Sequence, residues 1–386
     1  MRDNHFNLLR LTASMMVLAG HSVVLSTGEE ASRSAAMNAI ASLAGIGVDC
    51  FFAISGYLVM GSLRRAPSLL AFAWRRAARI YPGLLVSVAF CALLLGPLLT
   101  DLPVREYFAA SQTWNFLLGK GSLIGLLFTG GGSELPGLFQ GNPLPGKVNG
   151  SLWTLPWEVL MYAGLAALGI AASTCRSRAM LAIGTWFLLI IAASMAVAFY
   201  TLPWLGTDSA AETSSGIGAA GGTVRIALRF SVLFISGAAL ESLSRIRARW
   251  GNGSPGSPRE ALITLGALGL AILGYTLHSG LYPLYLLCLP IAVIGIGETH
   301  YGRQLYVFNR YGDYSYGIYI FAFPVQQALV ALEGPIGAGT LALLTFPTVA
   351  LMAALSWHLI EKPCLRAKGA LDGLRLTTFH RSDKPA

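Results

Sequence analysis

The sequence predicts an all-α membrane protein, a polytopic helical bundle of about ten transmembrane helices with both termini cytoplasmic. The 386 residues are 54% hydrophobic and 12% charged, with a mean hydropathy of +0.61, too apolar for a soluble chain of this length. Apolar runs of spanning length recur from end to end and are rich in Leu, Ala, Gly and aromatic residues without polar alternation, which selects helices over a barrel. Charge supplies the orientation. With spans at about 6–25, 40–62, 82–100, 152–172, 180–200, 225–243, 260–277, 281–298, 313–333 and 339–360, twenty-one of the 27 Lys and Arg fall on the cytoplasmic side and six, among them Arg225 and Arg229, on the other. The net charge of +9 is therefore a topology signal, and nucleic acid is not an expected partner.

One membrane domain over residues 1–365 is expected, followed by a short basic cytoplasmic tail over 366–386. The first helix carries an arginine inside its apolar run and no small-x-small cleavage site, so it is kept as a span rather than a signal peptide. The stretch from Trp114 to Phe128 contains Lys120 and three glycines and is assigned to a re-entrant or surface element. Neither the cysteine positions nor any His/Cys cluster has metal-ligand spacing, and no metal is expected.

The first helix is where chemistry concentrates. Arg10 and His21 are eleven residues apart, a separation that returns to within roughly 20° of one helix face at about 100° per residue. Asn7 and Ser14 fall near the same stripe. Ionisable groups at that depth are costly and mark function. In the second span, Asp49 and Ser55 sit among aromatic residues and glycines; Asp49 is either paired for insertion or part of the site. A hydrolytic triad of Asp49, Ser55 and His21 lacks a nucleophile-elbow context around Ser55.

Before the third span, a short helix would align Arg75 or Arg76 with Arg79, and Pro82 would turn the chain into the membrane. Guanidinium forks there suit a phosphate-bearing ligand from the cytoplasm, or else serve as an ordinary positive-inside anchor. Glu158 and His21 come to similar depth below the outer boundary, either as a catalytic pair in which the carboxylate orients the imidazole or as a structural one. Tyr162, Tyr316 and Tyr319 bring phenols toward the same helices, and Glu361 at the inner end of the last span is read as an architectural partner for an arginine.

In order, the motifs are an arginine followed eleven residues later by histidine, FF-x-x-SG at 51–56, R-R-x-x-R-I-Y-P at 75–82, W-x-x-x-x-E at 153–158, Y-S-Y-x-x-Y at 314–319 and E-K-P at 361–363. This series, from Phe6 to Pro363, resembles the acyltransferase-3 family, integral membrane O-acyltransferases of surface polysaccharides, O-antigens and nodulation factors. The resemblance implies that Arg10 and His21 are essential and that Arg75, Arg76 and Arg79 bind the donor, usually acetyl-CoA, with no permanently bound cofactor. Many members have a histidine where this chain has Ala322. Some members carry a fused extracytoplasmic domain, so this chain is expected to act alone or to hand over to a partner.

The expected reaction moves an acyl group, acetyl by this resemblance, from cytoplasmic acyl-CoA to a hydroxyl of an extracytoplasmic carbohydrate or glycolipid. His21 would act as base, or as nucleophile through an acyl-histidine. The expected setting is a bacterial inner membrane, with its lipids as further partners. A proton-coupled transporter would instead require inverted repeats and paired broken helices, and a non-catalytic polysaccharide-export partner would tolerate loss of His21.

Overall fold

The computed structural model describes residues 4–27, 34–122, 134–173, 191–195, 216–249, 257–277, 281–299 and 302–366. Its named elements are all helical, and the one extended pairing among the described residues is an isolated bridge between Thr100 and Leu138. The principal helices are α1 (Phe6–Thr27), α2 (Ala35–Arg64), α3 (Leu69–Ala89), α4 (Val104–Ala109), α5 (Ser111–Gly121), α6 (Leu155–Ser173), α7 (Gly216–Arg249), α8 (Pro258–Leu277), α9 (Tyr282–Glu298), α10 (Ser315–Glu333) and α11 (Ala338–Ser356).

Seven described stretches are long and apolar enough to cross a membrane: Phe6–Ser26, Ala35–Arg64, Leu69–Leu99, Thr223–Ser244, Pro258–Leu277, Ser315–Glu333 and Ala338–Arg366. The expected spans at 152–172 and 281–298 correspond to the shorter apolar helices Leu152–Leu168 and Tyr282–Glu298. The span expected at 180–200 lies outside the described residues except for 191–195, as do most of the 251–258 loop and the tail beyond 366.

The chain gathers into two compact units. The first comprises Met1–Arg10, Asp49–Ala66 and Met161–Tyr311. Here the glycines expected to allow close packing do so: a methyl group on Gly56 would collide with the Phe234 carbonyl, and one on Gly237 with the Ala53 carbonyl, so α2 and α7 touch backbone to backbone. Phe52 stacks on Phe230 at 3.9 Å beside that contact. Into this apolar setting α2 inserts Asp49, which is 0% exposed. Arg229 of α7 closes a two-pronged bond on it, Nε to Oδ1 at 2.8 Å and Nη2 to Oδ2 at 2.7 Å, and Tyr285 of α9 donates its hydroxyl at 2.6 Å. Arg229, counted above with the outer side, is thus one turn or more inside a helix and neutralises a buried acid. Two further acids in this unit are partnered likewise: Glu241 lies 3.1 Å from Arg64, and Glu298 accepts from Tyr57.

The second unit comprises Leu11–Val48, Pro67–Leu160 and Gly312–Ala386. Its centre is α10, whose residues from Ser315 to Ala328 are all buried. α11 packs on α10 where Gly317 lies flush against Ala353. α3 corrects an expectation. The arginine segment and the third span are one helix, begun by Ser68, whose hydroxyl accepts from the Ala71 N–H at 3.1 Å, with Pro82 inside it rather than at a turn. A π-turn over Phe90–Leu95 and the short helix Gly96–Leu99 continue it. Tyr107 of α4 donates to the Ala92 carbonyl in that π-turn at 2.8 Å. The element expected to be re-entrant or superficial is in part α5, which packs on α3, while 123–133 lie outside the described residues.

The Asp49–Arg229 bond generates a stability prediction. Arg229→Met should cost about 3–5 kcal/mol by leaving a buried carboxylate uncompensated, whereas the double variant Asp49→Leu/Arg229→Met should recover most of it. Denaturant unfolding in detergent measures both; an undiminished single variant would mean that Asp49 is neutralised by some other group.

Candidate functional site

Chemistry-bearing residues of the second unit collect in two places along α3 and α10. At the start of α10, Arg79 of α3 meets Asp313 at 2.6 Å and Glu361 at 3.6 Å, with its guanidinium over the rings of Tyr316 at 5.6 Å and Trp357 at 5.7 Å. Glu361 reaches this point because the helix after α11 widens into a π-turn over Trp357–Glu361, and Ser356 donates to its other oxygen at 2.9 Å. Asp313 also accepts from the Ser315 hydroxyl. The architectural pairing expected for Glu361 is therefore present, and its arginine is Arg79.

Of the three arginines expected to bind the donor, Arg79 is thus the one held by two carboxylates. A phosphate approaching Arg79 would meet two carboxylates already holding it, so Arg79 is an internal counter-ion. Arg75 and Arg76 lie about one turn earlier on α3, both partly exposed. Tyr316 supports the same centre, donating its hydroxyl to the Ile80 carbonyl at 2.8 Å.

The second place surrounds His21. The imidazole meets the edge of Phe323 at 5.1 Å between centroids, nearly perpendicular at 86°. Its Nδ1 is buried without a hydrogen-bond partner, while the residue as a whole is partly exposed. The reachable side of the ring is the one that includes Nε2. Gly150 lets the loop before α6 close down here, since a methyl group on it would strike the Phe323 ring at 2.5 Å.

Pro324, one residue beyond Phe323, explains how that loop is held. Proline has no N–H, so the Ile320 carbonyl four residues earlier loses its helical donor. Asn149 Nδ2 donates to it at 2.9 Å and Ser87 Oγ at 3.1 Å. Asn149 Oδ1 then accepts from the Ser151 N–H at 3.1 Å. Tyr319 donates to the Ser151 carbonyl at 2.9 Å and contacts Thr154 Oγ1 at 2.6 Å. Further along α10, Gln327 binds the Leu144 and Lys147 carbonyls at 3.0 and 2.7 Å, and Asn142 returns a bond to its Oε1 at 2.7 Å.

Of the residues singled out from sequence, this unit brings His21, Tyr316, Tyr319, Glu158, Arg75, Arg76 and Arg79 into its two polar centres and their connecting helices. The expected His21–Glu158 bond is not made at Nδ1, and the ring meets Phe323 instead. Arg10, Asp49, Ser55 and Tyr162 belong to the first unit. There Arg10 lies over the Phe51 ring at 5.9 Å, Asp49 is committed to Arg229 and Tyr285, and Tyr162 is buried facing Phe234. Ser87, Asn149, Gln326 and Gln327 were missed. Their signal was legible in part, because two adjacent amides just after a proline inside an apolar span require partners.

The second unit thus sets a histidine beside a buried network of hydroxyls and amides. Comparison of the chain with protein families gives the class: the acyltransferase-domain profile matches residues 3–358, and the chain belongs to the acyltransferase-3 family. It is similar to an O-acetyl transferase of Shigella phage Sf6, 30% identical over 368 residues that cover 94% of this chain and 96% of that one. It is also similar to Nodulation protein 10 of Rhizobium leguminosarum bv. viciae, 26% identical over 385 residues, covering 97% and 96%. No solved structure matches it.

Because Arg79 balances Asp313 and Glu361, Arg79→Ala should cost roughly 3–5 kcal/mol and lower the yield of folded protein instead of selectively weakening a ligand. Thermal unfolding with size-exclusion chromatography checks this; a fully stable Arg79→Ala protein with weakened donor binding would return Arg79 to the ligand site.

Proposed function

We propose that the protein transfers an acetyl group from cytoplasmic acetyl-CoA to a hydroxyl of an extracytoplasmic or lipid-linked carbohydrate, at a bacterial inner membrane. The observation that carries the reading is the His21 ring, reachable on its Nε2 side and fixed by Phe323 under the loop that Asn149 holds on α10. The similarity to an O-acetyl transferase supports acetyl as the group moved.

In this mechanism the acceptor hydroxyl gives its proton to His21 Nε2 as its oxygen attacks the thioester carbonyl. The C–S bond then breaks, and the departing thiolate takes the proton back from the imidazolium. Arg75 and Arg76 hold donor phosphates at the other end, where guanidinium suits a polyanion. Glu158, in the same unit, is the carboxylate that this mechanism assigns to the imidazole. Attack by His21 itself, giving an acyl-histidine, is the variant route.

Three variants test it in membranes or vesicles with expression matched. His21→Ala should lose at least 10²–10⁴-fold in acetyl transfer while still binding acetyl-CoA. Arg76→Ala should keep the fold but weaken acetyl-CoA binding by about 1.5–3 kcal/mol, and Glu158→Gln should fall between parent and His21→Ala in rate. Near-normal turnover by His21→Ala would overturn the mechanism.

The charge asymmetry supports ten spans with both termini and the α2–α3 connection in the cytoplasm. A cysteine placed at Ser68 should then react with impermeant thiol reagent only after the inner membrane is opened, and labelling in intact spheroplasts would exclude this orientation.

A further inference from the structure

The face of α1 that carries His21 is fastened to α10 by a group that neither the mechanism nor the family motifs use. Gln326 is 0% exposed. Its Nε2 donates one proton to the Leu18 carbonyl at 3.0 Å and the other to Ser22 Oγ at 2.6 Å, and Ser22 Oγ in turn donates to the Leu18 carbonyl at 2.9 Å. Leu18 lies three residues before His21 and Ser22 one after it, so the amide grips the turn that presents the imidazole. Phe323, one turn before Gln326, touches the His21 ring, and Phe323, Val330 and Leu25 share one apolar cluster.

The orientation of the amide is fixed by chemistry. Turned over, its oxygen would face the Leu18 carbonyl, oxygen against oxygen. Held as it is, Gln326 Oε1 is buried with no partner. An orphaned buried acceptor lowers stability, and a leucine or methionine would fill the same volume without that cost. The amide is thus a poor device for stability and a good one for geometry.

We propose that Gln326 is a positioning residue: by tying the Leu18 carbonyl and Ser22 to α10 it sets the rotation of α1 about its own axis and so aims His21. The inference rests on the role given to His21 above. A side chain about 6 Å from a helix axis moves about 1 Å for each 10° of rotation, and a misplacement of that size lowers a rate by about 10²-fold.

The experiment compares the full-length protein with Gln326→Met, Gln326→Leu, Ser22→Ala, Ser22→Thr and His21→Ala, measuring thermal unfolding, acetyl-CoA affinity and steady-state transfer. Gln326→Met and Gln326→Leu should unfold at or above the parent temperature and bind acetyl-CoA unchanged. Their kcat should fall 10–100-fold with little change in KM. Ser22→Ala should lose less, because the Leu18 bond remains, and Ser22→Thr, which keeps the hydroxyl, should restore the parent rate. Parent-like kcat in Gln326→Met beside an inactive His21→Ala overturns the positioning role and leaves the reading of His21 standing. Lowered unfolding temperature with unchanged kcat per folded molecule assigns Gln326 to packing, and a raised KM at unchanged kcat assigns it to substrate binding; either overturns the proposal. An active His21→Ala overturns the reading beneath it.

Discussion

Pro324 takes one hydrogen-bond donor out of the middle of α10, and inside a bilayer the Ile320 carbonyl it strands has no water to turn to. The second unit is built around meeting that need. Ser87 brings α3 to it, and Asn149 brings the loop ahead of α6. Once Asn149 is placed, Gly150 lies against Phe323 and Ser151 is in reach of Tyr319, so the loop floor and the His21 ring share a wall. An orphaned backbone group costs about 1–3 kcal/mol, enough to make a neighbour that satisfies it far more populated than one that does not. A missing proton in one helix thus fixes two other segments.

The acids follow a second economy. Asp49 is held by Arg229, Glu241 by Arg64, and Asp313 with Glu361 by Arg79. Each bond joins segments far apart in sequence, and the two-pronged grip of Arg229 on Asp49 is one that lysine would not reproduce. Several arginines that charge counting treats alike are therefore doing unlike things: some mark a membrane side, while others cancel a carboxylate inside the protein.

Much of this was legible in the chain. The apolar runs, the close packing around Gly56 and the partner required by Glu361 follow from composition, helical period and the cost of burying charge. The choice of partner did not follow. Asp49 needs a cation, but nothing local says that it is Arg229, 180 residues on. A turn into the membrane is the local expectation for Pro82, yet the residue lies within α3. Gln326 and Gln327 announced only that they needed partners; that one grips α1 and the other the loop depends on contacts spanning most of the chain. The offset between Glu158 and His21 Nδ1 was likewise beyond depth arithmetic, which fixes height along a span but not rotation around it.

The loop ahead of α6 is fastened at both ends to the same helix, Asn142 to Gln327 and Asn149 to Ile320. Seven residues of loop thus cover seven residues of helix, a rise of about 10.5 Å. This matched count makes the segment a gauge of fixed length. A residue inserted within it has to bulge away from α10 or pull an anchor loose, and in either case the floor beneath His21 changes. A length change outside the two anchors leaves that gauge, and the wall against which the imidazole rests, as they are.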